Sequence, residues 1–122
     1  MLNTLLVVGL GGFLGAIFRM LSYELIYKIL PHFTLLATLF VNVLGSFLMG
    51  VLFFYLQNKG DSVLIKNFIG IGFLGAFTTF STFTYENLML LQNQNYVYFI
   101  LNVLLNVGLC LFALWVSFLI FK

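Results

Sequence analysis

Charge is almost absent from this sequence. Only 7% of its 122 residues are Asp, Glu, Lys or Arg, whereas soluble domains carry about 25%. Such a chain cannot cover itself with polar surface, so it is read as an integral membrane protein. The net charge of +2 is too small for nucleic-acid binding. Three acids and one histidine leave little material for catalysis. No HExxH, Ser/His/Asp set, paired carboxylates or phosphate loop is present, and no enzyme activity is expected. The single cysteine, Cys110, excludes an intrachain disulfide. His32 has no second His, Cys or carboxylate at ligand spacing. It reads as an interfacial residue. Met1-Leu2-Asn3-Thr4 lacks a basic start and no small-residue cleavage site follows. No signal peptide is therefore expected.

What is present is 63% hydrophobic residues, gathered into four apolar segments. A spanning helix needs about 20 such residues. The expected architecture is one all-α membrane domain, with helices at about 5–26, 35–55, 67–91 and 96–121. The expected connectors are Tyr23 to Phe33, which holds the only proline, Pro31, then Gln57 to Lys66 and Gln92 to Asn95.

In the first segment Gly11, Gly12, Gly15 and Ala16 form two overlapping small-xxx-small pairs. These read as ordinary close helix packing. Arg19 lies in the same helix. It either snorkels to the interface or attracts anions in a vestibule. In the second segment Thr38, Asn42, Ser46 and Gly50 recur every four residues and share a face. In the fourth, Asn102, Asn106 and Cys110 do the same. Asparagines facing lipid are costly. Both lines should meet a partner helix or a pore, and Asn42 at mid-membrane favours a pore. Glu86 is an acid inside a membrane segment. It reads as functional, or as a partner for Arg19 or an interfacial cap.

The third segment contains Gly75-Ala-Phe-Thr-Thr-Phe-Ser-Thr-Phe83. Glycine and threonine are poor interior helix formers, and hydroxyls offer the backbone competing bonds. An interruption is expected near Gly75 to Thr79. Broken backbone at membrane depth survives only when buried in protein or lining a wet cavity, and discontinuous helices commonly hold ions. Beyond the interruption Phe80 and Phe83 share a helix face.

An even helix count puts both termini on one side, with Lys59, Lys66 and Lys122 against Arg19 and Lys28 opposite. A three-to-two tally barely orients a chain. Four short helices are also too few to enclose a polar pore comfortably. An antiparallel homodimer of oppositely inserted copies satisfies both points.

Three stretches resemble the Fluc (CrcB) fluoride channels of microbes: Gly11-Gly-Phe-Leu-Gly-Ala-Ile-Phe-Arg19, Asn42-Val-Leu-Gly-Ser46 and Gly75 to Phe83. The resemblance runs through all four helices. It implies a dual-topology antiparallel dimer with two fluoride pores and a central, non-permeating Na⁺. The matching sodium ligands are the backbone carbonyls of Gly75 and Thr78. Phe80 and Phe83 match the paired pore phenylalanines, Asn42 the vestibule asparagine and Arg19 the first-helix arginine. Asn102, Asn106 and Cys110 match the polar track, with Cys110 standing where serine is usual.

The implied mechanism is passive export of fluoride across the cell membrane. Amides of Asn42, Asn102 and Asn106 and hydroxyls of Thr38, Ser81 and Thr82 would replace the ion's water. Ring edges of Phe80 and Phe83 would face the anion. A membrane potential contributes about 2.3 kcal/mol per 100 mV to the exit of a negative charge. Two alternatives stand beside this. A small four-helix multidrug transporter wants a carboxylate in the middle of helix one, where Gly11 to Phe18 offer none. A non-transporting assembly subunit would turn its polar faces to a larger complex.

Overall fold

The computed structural model describes residues 1–122, all helical apart from short connectors. In chain order the elements are α1 (Leu2–Ile29), α2 (Leu35–Lys59), α3 (Val63–Ile65), a π-helical segment (Lys66–Leu74), α4 (Gly75–Phe77), α5 (Ser81–Gln92) and α6 (Tyr96–Phe121). Four stretches are long and apolar enough to cross a membrane: Leu2–Ile29, Leu35–Lys59, Val63–Gln92 and Tyr96–Phe121.

Two expected connectors prove shorter than the sequence suggested. Tyr23 to Ile29 remain in α1, because no breaker precedes Pro31. The Leu30 N–H still donates to the Ile26 carbonyl at 2.7 Å. Gln57 to Lys59 remain in α2, so their polarity marks a wet helix end. Gly60 closes that helix with φ 95°, a conformation that suits glycine. Two residues later the Ser62 hydroxyl accepts from the Ile65 N–H at 3.3 Å and restarts helix at Val63. The third span therefore begins at Val63 instead of 67.

The interior inverts a soluble core. Its buried polar residues are Thr38, Thr79, Asn87, Asn102, Asn106 and Ser117, almost as many as the buried apolar ones. Leucines and phenylalanines of every span are exposed instead. Lipid is as apolar as they are, so helices associate here through close packing and hydrogen bonds.

Glycine makes that packing possible. α1 lies against the π-helical segment with backbones touching. A Cβ on Gly11 would overlap the Phe68 carbonyl oxygen, and one on Gly15 the Phe73 carbonyl oxygen. From the other side, a Cβ on Gly72 would sit 2.7 Å from the Val8 carbonyl oxygen. α2 packs on α6 by the same device, with Gly50 against Ser117.

Candidate functional site: an asparagine chain beside a phenylalanine pair

α4 ends at Phe77, and α5 begins at Ser81. Between them Thr78 is extended, with φ −82° and ψ 158°. Helical bonding lapses here. The Thr78 N–H still reaches the Leu74 carbonyl at 3.0 Å. The Thr79 N–H instead donates to Asn42 Oδ1, at 2.8 Å. No backbone N–H donates to the carbonyls of Gly75 or Thr78, and the N–H groups of Phe80 and Phe83 have no backbone acceptor. Gly75 itself remains helical.

Asn42 holds this segment at two points. Its Oδ1 accepts from the Thr79 N–H, and its Nδ2 donates to the Thr79 carbonyl at 3.0 Å. Asn42 Nδ2 also donates to Asn106 Oδ1 at 3.1 Å. Asn106 Nδ2 donates to Asn102 Oδ1 and to the Asn102 carbonyl, both at 3.0 Å. Asn102 Nδ2 donates to Asn87 Oδ1 at 3.0 Å. Four side-chain amides thus run head to tail from α2 through α6 to α5. The peptide N–H of Thr79 can only donate, so it fixes which way each amide points along the chain.

Thr79 also bonds to the start of α5. Its Oγ1 accepts from the Thr82 N–H at 3.1 Å, donates to Thr82 Oγ1 at 3.2 Å and lies 3.1 Å from Ser81 Oγ. Phe80 and Phe83 follow, with ring centroids 5.2 Å apart and planes at 47°. Phe80 is 73% exposed, while Phe83 is buried.

A cleft of about 350 Å³ brings together Asn42, Ser46, Thr79, Phe80, Phe83, Asn106 and Cys110. A second hollow of about 230 Å³ adjoins it and is lined by Gly75, Thr78 and Cys110. A larger cavity of about 720 Å³ is lined by residues that include Tyr27, His32, Thr82, Glu86 and Asn102. Thr82 faces this cavity while its hydroxyl bonds to Thr79 of the cleft. The two spaces therefore approach each other at one pair of threonines.

The polar face of α2 is not one continuous lining. Asn42 and Ser46 reach the cleft. Thr38 is fully buried away from it, and its hydroxyl donates to Glu86 Oε1. The Thr38 proton is thereby committed, so Tyr23 is the donor in the 2.7 Å contact between their hydroxyls. Gly50 is consumed by packing on Ser117. Ser46 donates to the Asn42 carbonyl at 2.7 Å, as membrane-helix serines often do. Glu86 finds Thr38 and makes no ion pair with Arg19, and its Oε2 is buried without a partner. Arg19 is half-buried and lines none of these three spaces.

Sequence reasoning passed over Asn87, Tyr23 and the hydroxyl contacts of Thr79 with the start of α5. Asn87 was detectable by the desolvation argument that singled out Asn102 and Asn106. Tyr23 was not, because a tyrosine in a membrane helix commonly marks the interface.

Residues 6–118 match the family model described as CrcB-like protein, Camphor Resistance (CrcB). The chain is 67% identical over its full length to a Campylobacter jejuni protein named fluoride-specific ion channel FluC, also covered in full. A protein of that name from Campylobacter lari is 57% identical, again over 100% of both chains. One from Shewanella halifaxensis is 47% identical over 95% of this chain and 94% of its own. With a match across nearly all of its four spans, this multi-pass membrane protein belongs to the CrcB-like family.

Proposed function

We propose that the chain forms a channel through which fluoride leaves the cytoplasm passively. The observation that carries this reading is the cleft of Asn42, Thr79, Phe80, Phe83 and Asn106 within membrane-spanning helices, at the start of α5. The names of the full-length relatives support fluoride as the ion.

Fluoride is small and strongly hydrated, so a pore must replace its water with donors. The partial positive charge of a helix N-terminus favours an anion, and the free N–H groups of Phe80 and Phe83 lie at that end of α5. The Thr82 hydroxyl accepts from Thr79 and keeps its own proton for the ion. Thr38 offers none, having given its proton to Glu86. Conduction also requires that the ion can leave. Few free donors and two ring edges bind more weakly than a full amide cage would.

The channel is an antiparallel, dual-topology homodimer on this reading. Gly75 and Phe80 are both exposed in the single chain. A second copy would cover both and close the open side of the cleft. The balanced lysine and arginine tally allows opposite insertion. Reporters fused to the C-terminus and active on opposite sides of the membrane should both give signal. Signal from one side only would sink dual topology.

The residues also fit a structural Na⁺ at the dimer centre. The carbonyls of Gly75 and Thr78 accept no backbone hydrogen bond, and both residues line one hollow. An unsatisfied carbonyl at membrane depth costs several kcal/mol, and hard cations suit oxygen ligands. The ion would join the two copies without permeating, and its positive charge would favour anions nearby.

The multidrug alternative fares poorly, because the middle of α1 is acid-free and pressed against the π-helical segment at backbone contact. The decisive measurement is efflux from fluoride-loaded liposomes containing only the purified chain. Fluoride should leave while chloride stays. Exchange of Na⁺ on both sides for a bulky organic cation should cut the flux without changing selectivity. Absence of fluoride flux from a properly assembled dimer would leave the assembly-subunit reading. Full flux and stability in Na⁺-free buffer would remove the sodium site alone.

A further inference from the structure

We infer that Asn87 is a further fluoride-binding residue, whose amide nitrogen donates to the ion as it passes between the cleft and the larger cavity. This inference rests on the channel reading above and extends its path one helical turn beyond Phe83. Phe83 and Asn87 are the two buried residues of α5. They lie four apart and so share one face. On α6, Asn106 lines the cleft and Asn102 lines the larger cavity. Asn87 bonds to Asn102, whereas its neighbour Glu86 turns to Thr38 of α2. Asn87 therefore stands beside the step from one space to the other.

The amide is set up as a donor. Asn87 is only 7% exposed, and a polar side chain buried within a membrane span is costly unless it is used. Its Oδ1 accepts from Asn102 Nδ2 at 3.0 Å. That bond decides which end of the amide is oxygen, and no bond within the chain uses the nitrogen at the other end. The nitrogen is not sealed in. The one side-chain polar atom that is both fully buried and without a partner is Glu86 Oε2. Asn87 Nδ2 is also the last donor of the amide chain. Each amide in turn accepts through its oxygen and donates through its nitrogen, from Thr79 through Asn42, Asn106 and Asn102. Amides aligned in this way polarise one another. The positive end of the whole chain falls on Asn87 Nδ2, two N–H donors with no acceptor of their own.

Side-chain amide NMR of purified, isotope-labelled protein tests this, with the Asn87 pair assigned through its own backbone. Titration with sodium fluoride should move the Asn87 N–H protons downfield to saturation. Sodium chloride at the same concentrations should leave them in place. In liposomes, Asn87→Leu should lower fluoride efflux roughly tenfold, and Asn87→Ser, which keeps a hydroxyl donor, should lower it less. An Asn87 amide indifferent to fluoride, in wild-type protein that passes the ion, would overturn the inference and leave the channel reading standing. That result is expected if Asn87 serves only as acceptor for Asn102, or if a second copy takes its nitrogen, and it can be read even if the variants fail to fold. Unchanged efflux through a folded Asn87→Leu would overturn it as well. A saturable fluoride response in wild-type protein that passes no fluoride would sink the channel reading and leave Asn87 as an anion site.

Discussion

Gly15→Ala should yield a chain that reaches the membrane but folds with much reduced stability. The added Cβ would overlap the Phe73 carbonyl oxygen, with the Phe73 Cα 3.0 Å away. Both are backbone atoms of the π-helical segment, so no side chain can rotate aside. α1 would have to lift from that segment, surrendering the contact that holds them together. Overpacking of this kind costs about 3 kcal/mol at the upper end of its usual range. Total stability is roughly 5–15 kcal/mol, so the folded population should fall more than a hundredfold relative to unfolded chain. Gly9→Ala is the control, because a Cβ there meets nothing within 4 Å. Thermal melting in detergent, followed by size-exclusion chromatography, reads both. A Gly15→Ala protein that melts with the wild type would mean that α1 does not approach the π-helical segment so closely.

The four spans and the glycine stripe of α1 were legible because lipid exposure leaves a strong signal. Long apolar runs have few competing explanations, and small residues four apart imply backbone approach. Span ends were less legible. Gln57 to Lys59 and Tyr23 to Ile29 are polar enough to read as loops, yet hydrogen bonding continues until Gly60 and Pro31 intervene. Polarity marks where the membrane ends, whereas breakers mark where the helix ends.

The candidate site was legible as a set of residues but not as a set of roles. Asn42, Asn106, Phe80, Phe83 and Cys110 do line one cleft. Thr38 has the same spacing as Asn42 and Ser46, yet Tyr23 and Glu86 claim its hydroxyl. Periodicity places side chains on one helix face. It cannot say which donors that face's neighbours will already occupy. The lapse in helix falls inside the expected window of Gly75 to Thr79, though not at a glycine. Gly72 serves contact with α1, and Gly75 is helical, while the extended residue is Thr78.

On the proposed channel reading, replacing either phenylalanine by isoleucine should lower fluoride efflux at least tenfold while assembly is kept. A tenfold fall corresponds to about 1.4 kcal/mol of added barrier, which is the scale of an aromatic-edge contact beyond simple burial. Isoleucine keeps an apolar wall of similar reach but has no positive ring edge to offer an anion. The two positions separate flux from stability. Phe80 is 73% exposed in the single chain, so Phe80→Ile removes little internal packing and should leave the melting temperature close to that of wild type. Phe83 is 6% exposed and touches the ring of Phe80, so Phe83→Ile should also cost up to about 1.5 kcal/mol of stability. Phe80→Met offers a further distinction, since methionine fills space flexibly but likewise lacks a ring edge. It should resemble isoleucine in flux. Liposome efflux and melting, measured on the same preparations, check each expectation. Wild-type flux in both isoleucine variants, with normal assembly, would show that the ring edges take no part in passing the ion.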